Sequence, residues 1–244
     1  MSEPLHINQH PGTSPPSFEC KVVDSQVIDG DNWVQFDKTY YYPSGGGQPA
    51  DHGTISAEGI KYSILDVRKR TEILHLLSDS VNIDTLSNLT LTAEINHERR
   101  DILCRMHTAQ HLVSAAADEL FSATTIGNQI NTQKTRIDIG IESRDSFSKD
   151  DLESSVNNYI DSAVDVSMSF RPRDELIEDP LVRVNMDLIP KNIHELRVIT
   201  IDGIDICPCA GTHVGNTNQI GYIEIGKVKS KGAGKLRVEY TLVD

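Results

Sequence analysis

The chain has 244 residues, 38% of them hydrophobic and 24% charged, which fits one large or two modest globular domains. Its formal net charge of −13 argues against a protein that coats nucleic acid nonspecifically, while leaving room for local basic surfaces. No apolar run reaches the roughly 18 residues of a membrane span, and four cysteines without a disulfide framework point to a reducing, cytoplasmic setting.

Residues 1–17 carry Pro4, Pro11, Pro15 and Pro16 and lack the apolar core of a signal peptide, so they read as a flexible extension. Residues 18–92 read as short strands punctuated by turns. Lys21 to Val23 and Trp33 to Phe36 are strands, with a hairpin turn at Asp29-Gly30-Asp31-Asn32 between them. A glycine-rich stretch follows, from Tyr40 to Pro49. Gly53 to Ile55, Tyr62 to Leu65 and Ile73 to Leu77 then complete a set of strands that predicts a small β-barrel.

From residue 93 the period changes. Ile102, Met106, Ala109, Val113, Ala116 and Leu120 recur at spacings of three and four, which predicts an amphipathic helix over 96–121 with Asn96 as its cap. Alternation returns at Ile137, Ile139 and Ile141. Ser148 and Asp151 resemble a cap before a helix carrying Leu152, Val156 and Ile160. Val164, Val166, Met168 and Phe170 alternate as a strand, 196–206 gives one or two more, and 220–243 gives the last pair. The expected fold class is α+β: a small N-terminal β-barrel over 18–92, then a larger domain over 93–244 with helices packed on an antiparallel sheet.

His107-Thr108-Ala109-Gln110-His111 lies inside the long helix. Residues four apart share a face, so both imidazoles can reach one point. At 100° per residue they fall at the edge of the apolar stripe, on the side of Arg100, Ser114 and Asp118, where a cleft would open. Cys209-Ala210-Gly211-Thr212-His213 follows a strand, with small residues that allow a tight turn. Cysteine thiolate and imidazole are the preferred zinc ligands, and four of them suit a tetrahedral ion. The expected ligands are therefore His107, His111, Cys209 and His213, with Cys207 a competing ligand or a packed thiol. Four protein ligands usually close a zinc site, whereas catalysis needs an open position. Basic residues gather at 68–70, at Arg99, Arg100 and Arg105, and at Lys227, Lys229, Lys231, Lys235 and Arg237; the acid excess lies at 138–165 and 174–187.

HTAQH followed far along the chain by CAGTH resembles the paired motifs of the alanyl-tRNA synthetase editing domain, and most of all the freestanding AlaX proteins, the alanyl-tRNA editing hydrolases. Phe36 to Gly53 resembles that family's glycine-rich motif, Lys134 to Ile139 its strand after the first ligand pair, and Gly221 to Glu239 its C-terminal strand pair. The match covers roughly 20–244, and the barrel implies the longer AlaX class. Ala210 departs from the family's usual glycine but stays small.

The resemblance implies a trans-acting deacylase that hydrolyses the ester of tRNA specific for alanine when it carries serine, and often glycine. Zn2+ would be the cofactor and tRNA the partner, with a zinc-associated water as the reactant and no separate catalytic residue. Residues 126–130 match the family's hydroxyl-reading region, with Asn128 first and Gln129 second, and Thr124 and Thr125 remaining; strict alternation lets only one of Asn128 and Gln129 face the pocket. Gly45, Gly46 and Gly47 would bring backbone close to the acceptor end, with Gln48 and Asp51 ordering that loop or touching substrate. Phosphates would fall to Arg105, Lys229, Lys231 and Lys235. Two alternatives stand beside this reading: a threonyl-type editing deacylase with a similar motif pair, and an RNA-binding module with a closed structural zinc.

Overall fold

The computed structural model describes residues 2–78, 83–179, 181–184, 186 and 189–243. Met1, Asp244 and Asp187, the end of the second acidic stretch, lie outside the described residues. The chain divides into two compact units, Met1–Gln9 with Thr13–Asp101, and His10–Gly12 with Ile102–Asp244.

The first unit contains β1 (Glu3–Pro4), β2 (Phe18–Cys20), β3 (Val22–Ile28), β4 (Asp31–Phe36), β5 (Lys38–Thr39), β6 (Gly53–Ala57), β7 (Ile60–Lys69), β8 (Ile73–Leu77), a short α1 (Ile83–Leu86) and β9 (Leu91–Ile95). The strands expected to form a barrel pair into one seven-stranded antiparallel sheet, in the order β2-β9-β6-β7-β8-β4-β3. The β3–β4 hairpin closes over two residues, Asp29 and Gly30, both at positive φ (56° and 90°) with Ile28 opposite Asp31. That is the turn whose twist matches paired strands.

Two expectations need correction here. The N-terminal segment, expected to be flexible, is ordered: β1 pairs in parallel with β5, and a 3-10 turn follows at Leu5–Asn8. The boundary expected at 92/93 falls instead after Asp101, because β9 belongs to this sheet. Its Leu91, Ala93 and Ile95 point into the core while Thr92 and Glu94 point out, a period-2 signal that a boundary drawn at 92 cuts in two.

Gly53 is fixed by close approach. A Cβ there would lie 2.2 Å from the Glu94 carbonyl oxygen and 2.6 Å from the Tyr41 hydroxyl. That hydroxyl donates to Thr54 O and Glu94 O, so it cannot retreat without loss. Gly53→Ala is expected to destabilise this unit by about 3 kcal/mol, the upper end for overpacking. A urea midpoint within error of the parent would refute this.

The second unit is built on α2 (His97–Phe121), whose first residues count with the first unit. Asn96 caps it, accepting from Arg99 N at 2.9 Å. β10 (Thr124–Gln129), β11 (Thr135–Gly140), β15 (Tyr222–Ser230) and β16 (Lys235–Val243) make a four-stranded sheet in the order β10-β11-β16-β15. α3 (Lys149–Asp161) packs on β15, and Ser148 caps it as expected. β12 (Val166–Pro172), β13 (Glu195–Ile201) and β14 (Asp205–Pro208) form a second antiparallel sheet, with α4 (Arg173–Ile177) after β12. Met106, Ala109, Val113 and Ala116 are buried as the periodicity requires, and Leu103, Leu112, Ala115 and Ala117 join them. The middle of α2 is thus enclosed on nearly every side, wider than a single stripe.

Candidate metal centre

His107 and His111, both on α2, meet Cys209 and His213 from the loop after β14. One ligand atom of each lies within 4.8 Å of all the others. Cys209 Sγ is 3.5 Å from His107 Nε2 and 3.4 Å from His213 Nε2. Ligands bound tetrahedrally at about 2.0–2.3 Å stand about 3.3–3.7 Å apart, so the spacing and the donor set both fit a metal ion.

The ring orientations are fixed from behind. Thr108 Oγ1 donates to Cys104 O at 2.8 Å, so its lone pairs are left to accept from Val214 N and from His213 Nδ1, each at 3.2 Å. His213 therefore carries its proton on Nδ1 and turns Nε2 to the centre. His111 Nδ1 faces Asp205 Oδ2 at 2.9 Å, which leaves its Nε2 to the centre as well. Asp205 is held in turn by Arg183, whose Nη1 reaches Oδ1 at 3.0 Å and whose Nε reaches Asp118 at 2.8 Å.

The turn carrying Cys209 is pinned too. Arg197 Nη1 donates to Cys209 O at 2.7 Å and to Gly211 O at 3.1 Å, and Gly211 N donates to Cys209 Sγ at 3.3 Å. Gly12 N donates to His213 O at 3.0 Å. Gly12 lies at φ 72°, and a Cβ on it would be 2.7 Å from Gly215 Cα, so this contact requires glycine. Arg183, Arg197, Asp205 and Gly12 were not singled out from the sequence. Nothing in the local pattern marks them, since each acts across a large chain separation.

The two nearby thiols differ. Burial by itself raises a thiol, but at Cys209 the imidazoles of His107 and His213 and hydrogen bonds from His107 and His111 outweigh it, holding the group well below its usual range. At Cys207 burial, Asp205 and Cys209 all push upward. The two directions favour a thiolate, the form that binds metal, at Cys209 and a neutral thiol at Cys207. Cys207 also lies within 4.8 Å of His111 and Asp205. Burial lowers His111, yet Asp205 and Cys209 raise it to about 10; burial and His107 lower His213 to about 3. A bound cation would take the place of the proton on His111.

A cavity of about 270 Å³ opens beside His111, near the lower end of the roughly 300–1,000 Å³ typical of small-molecule pockets. Gln110, Ser114 and Asp118 line it from α2, the side on which the helical spacing placed Ser114 and Asp118. Thr124, Thr125 and Asn128 line it from β10. The register of β10 shifts between Thr125 and Gly127, a bulge that turns Ile126 outward and lets Thr125 and Asn128 share a face. Gln129 is exposed and lies away from the cavity, as alternation after Asn128 demands.

In the first unit, Gly45 and Gln48 exchange backbone hydrogen bonds at 3.0 and 2.9 Å around Gly46 and Gly47, both at positive φ. The three glycines are exposed and can approach a ligand. Gln48 is 1% exposed and Asp51 fully buried, so of the two roles expected of them, ordering the loop or touching substrate, burial favours the first. Asp51 instead accepts from Tyr42 N at 2.6 Å and pairs with Arg100, ordering the loop from beneath.

Lys227, Lys229, Lys231 and Lys235 are exposed along the β15–β16 hairpin, whereas Arg237 is paired with Asp138 at 2.6 and 2.7 Å. Arg105 Nε donates to Ile220 O at 2.8 Å, so part of that guanidinium is committed to the chain itself. Among the described residues, no helix is long and apolar enough to cross a membrane.

Residues 196–239 match the family model of the threonyl and alanyl tRNA synthetase second additional domain. The chain is 34% identical to the alanyl-tRNA editing protein AlaX-M of Saccharolobus solfataricus, over 92% of this chain and 93% of that protein. It is 32% identical to the AlaX-M of Methanosarcina barkeri, over 93% and 94%. It is also 33% identical to the alanine–tRNA ligase of Methanobrevibacter smithii, over 92% of this chain but 25% of the ligase.

Proposed function

The chain belongs to the AlaX-M family of alanyl-tRNA editing proteins, and from that premise we propose that it is a cytoplasmic, zinc-dependent deacylase that releases serine from serylated alanine-specific tRNA. The observation that carries this reading is that one residue, His111, belongs both to the four-ligand cluster and to the wall of an amino-acid-sized cavity. A metal held only for structure has no need of such an opening.

The chemistry has a clear reason. A pocket that accepts alanine discriminates weakly against serine, which merely adds a hydroxyl, so a second, hydrolytic site is needed. A zinc ion bound by these four residues would act as a Lewis acid on the ester or on a water molecule. The chain's own contribution is orientation. Asp205 and Arg183 fix the His111 ring, Thr108 fixes the His213 ring, and Arg197 fixes the turn between the two later ligands. The cavity takes the aminoacyl group. The exposed lysines of the β15–β16 hairpin supply phosphate contacts, and the exposed glycine turn offers backbone to the acceptor end.

Purified protein is expected to carry about one zinc per chain and to release serine from serylated alanine-specific tRNA, with turnover stopped by chelation and restored by zinc. Release of serine from threonine-specific tRNA alone would assign the chain to the threonyl type. Full activity in metal-free protein would refute the metal's role.

A further inference from the structure

β14 carries donors that the four-residue cluster does not use. Asp205 and Cys207 stand two apart on this strand, so their side chains leave the same face. Ile206 between them packs instead against the small cluster of Leu176, Leu196 and Val198. The face of Asp205 and Cys207 meets α2 at His111. One ligand atom from each of His111, Asp205 and Cys207 lies within 4.8 Å of the other two. His111 and Asp205 are buried, Cys207 is half-buried, and all three line the cavity. Nitrogen, carboxylate oxygen and sulfur together suit a cation such as Zn2+, Co2+ or Cd2+ rather than Mg2+ or Ca2+, which take oxygen. Three protein ligands also leave a fourth position open, whereas the four-residue cluster is closed.

We infer that His111, Asp205 and Cys207 form a second, weaker divalent-cation site on the cavity wall, which fills when zinc is in excess. The ion takes the place of the proton between His111 Nδ1 and Asp205 Oδ2, which stand 2.9 Å apart. Ligands of one ion stand about 3.3 Å apart or more, so this pair has only a few tenths of an ångström to open. Arg183 keeps its hold on Asp205 Oδ1, at 3.0 Å, and steadies the carboxylate from behind. The site is the weaker of the two for a chemical reason. His111 already turns Nε2 to the four-residue cluster, so serving both ions costs its ring the remaining proton, and Cys207 must lose its own. An ion here intrudes on the cavity. Resting on the deacylase reading for this step alone, excess zinc therefore inhibits turnover, while the first ion is required for it.

The test is metal titration of the parent beside Cys207→Ser and Cys207→Ala. Equilibrium dialysis against rising free zinc should load the parent with one tight equivalent and then a weaker second. Both variants should keep the first and lose the second. With Co2+ as the probe, the parent's second equivalent should add thiolate-to-cobalt absorption in the near ultraviolet to the band that Cys209 supplies. Excess zinc should slow deacylation by the parent and not by either variant. A parent that binds a single equivalent, a second equivalent without the thiolate band, or one that binds the variants as tightly as the parent overturns the site. Inhibition that is absent from the parent, or that persists in the variants, overturns its assignment to this ion. A parent that takes up both ions but releases no serine overturns the deacylase reading and leaves the site standing.

Discussion

Cys209→Ala protein is expected to lose its bound metal and, with it, deacylase activity by about a thousandfold or more, the several kcal/mol that a Lewis acid contributes to the transition state. Cys209 is the one cysteine of the four-residue cluster. Its sulfur stands 3.4–3.5 Å from two of the imidazole nitrogens and is held well below the usual thiol range by His107 and His213 against the opposing effect of burial. Its removal leaves three histidines to gather a divalent cation with no compensating negative charge among the ligands. Metal analysis and single-turnover deacylation of the same preparation measure the two losses together. Circular dichroism separates the catalytic reading from a scaffold metal. The α2 core is packed by Met106, Ala109, Val113 and their neighbours without help from an ion, so helix content should persist. Activity near the parent level in the variant would end the metal-based account, and a collapse of the fold would return the site to a structural role.

The largest loss of stability is expected from Asp51→Ala in the first unit, about 3–5 kcal/mol, the cost of leaving a buried cation without its partner. Arg100 is 5% exposed and Asp51 is fully buried. The carboxylate receives Arg100 Nε at 2.8 Å and a second guanidinium nitrogen, and it accepts the Tyr42 amide as well. Deleting it takes the carboxylate from both donors and leaves Arg100 only the neutral acceptors Tyr40 O and Gln9 Oε1. Asp51→Asn should be milder, because an amide oxygen still accepts although the charge is gone. Chemical denaturation of the three proteins gives the ranking, and an alanine variant as stable as the parent would show that Arg100 finds another partner. Asp51 sits in a stretch that resembles a substrate loop, yet its carboxylate faces inward and supports Tyr42, three residues before Gly45.

Much of the molecule is written locally. Asn96 and Ser148 cap their helices where a short polar side chain precedes an apolar period. Asp29-Gly30 makes the hairpin that two positive-φ residues require. His107 with His111, and Cys209 with His213, each converge because a helical turn or a tight loop brings neighbours four apart together. What was misjudged locally was mostly a matter of context. A proline-rich N-terminus reads as loose, and only pairing with β5 reveals it as a strand.

By itself, then, the sequence determined most element types from residue 18 onward, the two His/Cys pairs that could hold a metal and the polar side of α2, because periodicity and capping act over a few residues. Tertiary structure alone decided which distant groups meet. It brought the two ligand pairs together, set Asp205 behind His111 and Arg197 beneath the Cys209 turn, and laid Gly12 against the His213 carbonyl. It also placed the bulge that joins Thr125 to Ser114. Such contacts depend on how sheets and helices pack across long stretches of chain, and a hydrogen bond between side chains far apart in sequence leaves no periodic trace in either segment.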